Sequence, residues 1–377
     1  MRFAGENDPQ LYRVVMGFLM KTKAQYRHGG APEFDLRRLN LPDNLVFDFS
    51  VNINPLGPPM IVREKWPGFF SAIENYPSIH GDGVARYYEG KFGIPSRNFL
   101  AGNGSTEMIY LVPRVFRFGH VLIVTPSYHD YERASIVAGS KVTRFPLLPE
   151  NGFSLSNVNE LIKSLKNSDA FWLGRPNNPT GTLMPKEILL DLAGRFPHKM
   201  FIIDEAFIQF IDNWKEQSLL LEDPRPNILI IHSLTKFYAL AGVRMGGIMG
   251  SADAISRLRQ AKEPWTVNGV AEKIAPLLLA CAGYEQETRS LVAKEYKKIF
   301  QKLAMLDGIT PFPSTANFLL CQWQKTKTLD DLMRHLLSRG AYIRDCRNFS
   351  GLEEGFFRMG FRTPRENDLL LSLLSSF

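Results

Sequence analysis

The residue best suited to covalent chemistry is Lys236, which closes Ser233-Leu234-Thr235-Lys236 after the apolar run 228–231. A lysine in a crevice is desolvated, so its pKa falls and its amine can attack an aldehyde. Ser233, Thr235 and Arg244, the last eight residues beyond the lysine, offer two hydroxyls and a cation suited to a phosphate. Asp204-Glu205-Ala206 ends another apolar run, Phe201-Ile202-Ile203. An acid there is costly unless it meets a cation, such as a protonated ring nitrogen; a metal or a structural ion pair would also serve. Arg175-Pro176-Asn177-Asn178-Pro179-Thr180-Gly181 keeps two amide side chains free between prolines, though a plain turn has the same composition. Ala101-Gly102-Asn103-Gly104-Ser105-Thr106-Glu107 is glycine-rich and runs into a helical pattern. Its backbone N–H groups could receive a phosphate, and a simple cap at Ser105 or Thr106 explains it equally.

Bringing these stretches together requires a sheet whose strands end at one edge. Helical spacing covers 84–92, 106–116, 131–138 and 185–195, and short apolar runs cover 121–126, 142–146, 170–173, 200–204, 228–231 and 246–249. This alternation predicts an α/β fold with a mostly parallel sheet between helices, whose ligands bind at the carboxyl ends of the strands. After Glu263-Pro264-Trp265 the pattern becomes α+β: a charged helix over 285–306, strands over 315–321, 341–344 and 356–360, and helices over 329–338 and 364–375. The expected division is an extension over 1–27, helical over 9–23, and an arm over 28–55 that packs on the smaller domain. A large domain over 56–262 and a small one over 263–377 complete it.

With 377 residues the chain exceeds one small core. Its formal charge of +7 comes without a basic run interleaved with aromatics, so nucleic acid is not an expected partner and anionic small molecules are. Three widely spaced cysteines give no metal or disulfide framework and fit reduced thiols in the cytoplasm. The apolar run 14–20 is too short to span a bilayer and lacks a cleavage site, so no membrane is expected.

In this order and spacing the stretches resemble the pyridoxal 5'-phosphate (PLP) dependent enzymes of fold type I, the aminotransferase superfamily. The resemblance covers residues 28–377 and implies PLP as cofactor. Lys236 matches the lysine that carries PLP as a Schiff base, and Asp204 the acid that keeps the pyridine nitrogen protonated. Asn178 matches the amide that bonds the ring oxygen O3'. Tyr128, in Thr125-Pro126-Ser127-Tyr128, matches the aromatic stacked on the ring. Gly104, Ser105, Thr106, Ser233 and Arg244, with Thr235 beside them, match the phosphate cup. Tyr76, in Asn75-Tyr76-Pro77, matches a tyrosine that reaches the neighbouring subunit's cofactor phosphate, which implies a homodimer with shared sites. One position departs: many relatives have tyrosine three residues after the aspartate, where this chain has Phe207. A donor to O3' is then missing, and the lysine–cofactor bond is expected to titrate differently.

Within that superfamily the chain is similar to threonine-phosphate decarboxylases and histidinol-phosphate aminotransferases. His28-Gly29-Gly30, the stretch 47–59, Ile343-Arg344-Asp345-Cys346-Arg347-Asn348-Phe349 and the stretch 357–364 resemble the decarboxylases. That resemblance implies that Arg358 holds the α-carboxylate of a phosphorylated amino acid, with Arg344 nearby. His28, Gly29 and Gly30 would hold the substrate phosphate, and Asn54 would lie nearest the cofactor. The implied reaction is decarboxylation of L-threonine O-3-phosphate to (R)-1-amino-2-propanol O-2-phosphate, the linker of the cobalamin nucleotide loop. L-serine O-phosphate, giving ethanolamine phosphate for a norcobamide, lacks one methyl, worth roughly 1–3 kcal/mol of discrimination. A histidinol-phosphate or aromatic aminotransferase is the alternative. Ser78-Ile79-His80-Gly81-Asp82-Gly83 departs from the decarboxylase pattern, which is acidic and contains proline there.

Overall fold

The structure, a computed structural model, describes residues 28–42 and 46–377; the helix expected over 9–23 lies outside them. Thirteen strands run in chain order: β1 (Phe47–Asp48), β2 (Phe99–Asn103), β3 (His120–Thr125), β4 (Lys141–Pro146), β5 (Ala170–Gly174), β6 (Met200–Asp204), β7 (Ile228–Ser233), β8 (Met245–Met249), β9 (Ile309–Pro311), β10 (Phe318–Trp323), β11 (Ala341–Tyr342), β12 (Arg344–Asp345) and β13 (Phe356–Gly360).

Seven of them form one sheet in the order β2-β8-β7-β6-β5-β3-β4. All neighbours are parallel except β8, which runs against both β2 and β7. Strands β5 and β7 are buried at every residue, because helices cover both faces. Side chains alternate between the faces. Trp172, Ile202, Leu229 and Ile231 pack with the helix Ser105–Phe116; Phe171, Leu173, Phe201, Ile203 and Ile230 pack in the core of the other face.

The strand β2 was not expected, because Gly102 and Asn103 read as a loop. Its position follows from register. Asn103 pairs with Met245, and Gly246 pairs with Ser233. The glycine-rich turn, Arg244 and the end of β7 therefore meet at one point of the sheet edge.

A second sheet, β12-β13-β10-β9, is antiparallel throughout. The extended run expected over 47–53 contributes only β1, which pairs in parallel with β11. The Phe49 N–H donates to the Tyr342 carbonyl at 2.7 Å, and the Gly360 N–H donates to the Phe49 carbonyl at 2.7 Å. These bonds carry Ser50, Val51 and Asn52 to the edge of the large sheet, where they line a cavity. Residues 269–280 pack back on the helix Asp82–Phe92, so closely that a Cβ on Gly83 would fall 2.2 Å from the Glu272 carbonyl oxygen.

Candidate active site

The cavity lies where β3, β5, β6 and β7 end. Lys236 stands one tight turn beyond β7, pinned by the Leu234 N–H donating to the Met245 carbonyl at 3.0 Å and by its own carbonyl accepting from the Asn54 N–H at 3.0 Å. Its amine lines the cavity. Burial pulls its pKa down to about 8, and the positive charges of Arg358 and Arg244 push the same way. About a tenth of the amine is then free base at pH 7, far more than for an ordinary lysine, as nucleophilic chemistry requires.

Of the two acids that end β6, only Asp204 faces the cavity. Burial pushes its carboxyl up to about 6, opposed by hydrogen bonds from the Ala206 N–H and the Tyr131 hydroxyl. Glu205 is turned into the core, where it takes Arg175 Nη1 at 2.8 Å, the Ser218 hydroxyl at 2.6 Å and the Leu219 N–H. The structural ion pair that was open for Asp204 is thus formed by its neighbour.

Asn177 and Asn178 also divide their work. The Asn177 amide donates to the Pro126 carbonyl at 2.8 Å and to the Thr180 hydroxyl at 2.9 Å, which fixes the loop. Asn178 faces the cavity, and its Oδ1 accepts from Arg358 Nη1. Tyr128 forms a side wall, edge-on to Tyr131 with ring centroids 5.6 Å apart. Tyr131 is itself stacked on Trp172 at 5.1 Å and 11°.

At the opposite end, Ser105 and Thr106 open the helix Ser105–Phe116. Ser233 and Thr235 hydroxyls lie 2.8 Å apart, and all four residues line the cavity with Arg244. Gly104 has φ 73°, and a Cβ there would fall 2.8 Å from Arg244 Nη2. This end is a cradle of hydroxyls, one guanidinium and a helix N-terminus, closed around a position only glycine fits. The residues present therefore fit a phosphorylated pyridine aldehyde: anion cradle, buried acid and desolvated lysine lie in one cavity.

The remaining wall is cationic. Arg344 and Arg358 are paired neighbours on β12 and β13. Arg358 is buried, with Nη2 donating to the Ser50 carbonyl at 2.7 Å; desolvation pulls its pKa down to about 10. Arg344 donates to the Asp345 carbonyl at 2.6 Å and to Asn348 Oδ1 at 2.8 Å. The half-exposed His28 and Gly29 complete this end, the glycine so close that a Cβ would lie 2.5 Å from the Ser50 carbonyl oxygen.

Four expected residues stand apart from the cavity lining: Gly104, which backs the cradle beside Arg244, and three others. Gly30 is behind His28, its N–H donating to the Ser50 hydroxyl at 2.8 Å. Asn54 is buried, and its amide is taken up by the Phe237 carbonyl and the Thr288 hydroxyl, both at 2.7 Å, so it braces the Lys236 turn. Tyr76 is 86% exposed, its ring 5.2 Å from that of Trp265. Conversely, Tyr131, His129, Ser50, Asn52 and Phe349 line the cavity without having been singled out. For the first two a signal existed: both fall within six residues of the strand end that supplies Tyr128.

A desolvated lysine, a buried acid and an anion cradle at the carboxyl edge of this sheet define a fold type I enzyme. The chain belongs to the class I and II aminotransferase family, whose model matches residues 45–374. It is 33% identical, over 92% of its length and 95% of the relative's, to threonine-phosphate decarboxylase of Salmonella typhimurium. The L-threonine-O-3-phosphate decarboxylase of Porphyromonas gingivalis superposes with a TM-score of 0.77 at 26% identity, covering 87% of this chain and 98% of that one. The histidinol-phosphate aminotransferase of Clostridium acetobutylicum superposes with a TM-score of 0.81 at 29% identity, covering 87% and 98%. Among the described residues no helix is long and apolar enough to cross a membrane.

Proposed function

We propose that this protein is a PLP-dependent carboxy-lyase that converts L-threonine O-3-phosphate to (R)-1-amino-2-propanol O-2-phosphate, for the linker of the cobalamin nucleotide loop. The observation that carries this reading is the cationic wall of Arg344 and Arg358, with His28 beside it, in the same cavity as Lys236. It suits a substrate with both a carboxylate and a phosphate. The decarboxylase from Salmonella typhimurium, alike over nearly its whole length, supports the same choice.

When bound, PLP supplies an aldehyde for amines and a ring that accepts the electron pair released at Cα. Lys236 holds it covalently, and Asp204 keeps the ring nitrogen protonated. Asn178 would bond the ring oxygen, and Tyr128 would pack against the ring. Ser105, Thr106, Ser233, Thr235 and Arg244 hold its phosphate, with Gly104 leaving the room. Arg358 orients the α-carboxylate, and Arg344 stands beside it. His28, Gly29 and Gly30 hold the substrate phosphate. With the substrate amine in place of Lys236 on the cofactor, the freed Lys236 amine would give a proton to Cα as CO2 leaves, the electron pair of the broken Cα–carboxylate bond forming the new Cα–H bond. Asn54 acts through the Lys236 turn rather than on the substrate.

The reading includes a cytoplasmic homodimer with shared sites. Trp66, Phe70, Ile73, Tyr76 and Trp265 are exposed apolar side chains, with Tyr76 and Trp265 in ring contact, and a second copy would cover them. It also keeps the division into an arm (28–55), a large domain (56–262) and a small domain (263–377).

The test is NMR of the PLP-loaded protein with L-threonine O-3-phosphate and, separately, L-serine O-phosphate. An amino-alcohol phosphate supports the reading, and the faster substrate identifies the natural one. A keto-acid product formed only with an added amino acceptor overturns it in favour of an aminotransferase.

A further inference from the structure

His129 is buried in the cavity wall, and neither the strand pattern nor the cofactor site accounts for it. Its ring centroid lies 4.6 Å from that of His28 and 5.8 Å from that of Phe349. The Arg344 guanidinium sits 5.2 Å from the same Phe349 ring. Two imidazoles and one arginine thus surround one end of the cavity.

We propose that His28 and His129 form a paired-imidazole clasp for the substrate phosphate, with His129 setting the preference for phosphorylated over unphosphorylated amino acids. This rests on the reading above and deepens it. A phosphorylated amino acid brings a carboxylate and a phosphate of nearly two charges, roughly three negative charges in all. With Lys236 and Arg244 given to the cofactor, Arg344 and Arg358 remain as the permanent cations of the lining among the described residues. Balancing the third charge falls to the imidazoles.

The groups around His129 are His28 from the arm, Asp130, Glu132 and Arg133 from its own helix, Tyr128, and Arg344 from β12. Asp130 Oδ2 lies 3.6 Å from His28 Nε2, and Asp130 Oδ1 accepts from the Tyr110 hydroxyl at 2.7 Å. In the free protein burial pulls His129 down to about 4 and also lowers His28. Both imidazoles are then neutral at pH 7, and a dianion placed between them reverses that balance, so binding takes up protons. Ligand atoms of His28, His129 and Asp130 also lie within 4.8 Å of one another, a spacing that a metal ion could bridge. The positive charges of Arg344 and Arg133 beside the imidazoles favour an anion instead.

The probe is inorganic phosphate, titrated calorimetrically into PLP-loaded protein, whose cofactor-phosphate cradle is filled. Wild type, His129→Gln and His129→Ala are compared in two buffers of different ionisation enthalpy. Because inorganic phosphate itself titrates near pH 7, proton exchange is read as a difference, and the wild type should take up more protons on binding between pH 7 and 8 than either variant. Both variants should bind phosphate about tenfold more weakly or worse, as for a lost hydrogen bond to a charged group, and take up fewer protons. Their KM for the phosphorylated substrate should rise more than their kcat falls, with the cofactor absorbance unchanged. Unaltered phosphate affinity and proton uptake in both variants would overturn the clasp, as would tight zinc binding that phosphate cannot displace. Wild type that binds phosphate in this way but releases no CO2 would sink the decarboxylase reading and leave the clasp standing.

Discussion

Tyr131 donates its phenolic hydrogen to Asp204 Oδ2 across 2.9 Å, while the Ala206 N–H donates to Oδ1 at 2.9 Å. These bonds aim the carboxylate and lower its pKa, yet burial still raises it from 3.8 to about 6. The carboxylate is therefore strained until a cation meets it.

The consequence for stability has a definite sign. The folded pKa lies above the unfolded one, so between about pH 4 and 6 the native state binds more protons. In cofactor-free protein this group should withdraw up to about 3 kcal/mol as pH rises through that window, while the buried His129 and His232, whose pKa values burial lowers, act in the opposite direction. Urea unfolding at pH 4.5 and 7.5 reads it. Asp204→Asn should remove this contribution alone, so that its stability relative to wild type is higher at pH 7.5 than at pH 4.5, and should lower kcat by about 100-fold or more.

Tyr131→Phe keeps the ring stacked on Trp172 and removes only the donor. Asp204 should then titrate still higher. We expect kcat to fall roughly tenfold, in line with one hydrogen bond to a charged group. Steady-state kinetics and PLP affinity of the variant check this, and an unchanged kcat would show that the phenol is only packing.

Gly104→Ala tests the cradle. The residue has a positive φ, and its new methyl would meet Arg244 Nη2. PLP affinity should drop by about tenfold or more, measured by equilibrium dialysis, and the cofactor-free protein should lose about 1–3 kcal/mol in denaturant unfolding from the strained backbone.

Arg358 donates through both terminal nitrogens, to Asn178 Oδ1 and to the Ser50 carbonyl. Lysine cannot reproduce that fork. Arg358→Lys should raise KM by about 30-fold or more while heat stability stays close to wild type. Full rescue by lysine would mean that only charge matters at this position.

Glu205→Ala addresses the core rather than the chemistry. It leaves Arg175, fully buried, without its counter-ion, at a cost of about 3–5 kcal/mol. Denaturant unfolding should show this loss.

Much of the site is legible in sequence because it sits where apolar strands stop. Lys236, Asp204 and Asn178 each close or follow such a run, and the structure brings all three to one cavity. Less legible was anything set by the partner of a side chain. Asp204 and Glu205 are adjacent acids in the sequence, and only the burial of Arg175 separates their roles. Asn54 looked like a ligand group because it lies in a rigid loop, but its amide is consumed by Phe237 and Thr288. Strand β2 was hidden by Gly102 and Asn103, whose small and polar side chains suit an antiparallel edge beside Gly246 and Gly247. Tyr131 looked like an ordinary helix residue and His129 fell in the unassigned stretch before it, because their neighbours come from strands and an arm far away in the chain.

The most direct measurement is CO2 release from L-threonine O-3-phosphate by the PLP-loaded protein with every keto acid omitted, beside Lys236→Ala. The wild type should release CO2 through many turnovers, and the variant should be slower by about 1000-fold or more. No CO2 from the wild type, with transfer of the amino group once a keto acid is added, would contradict the account.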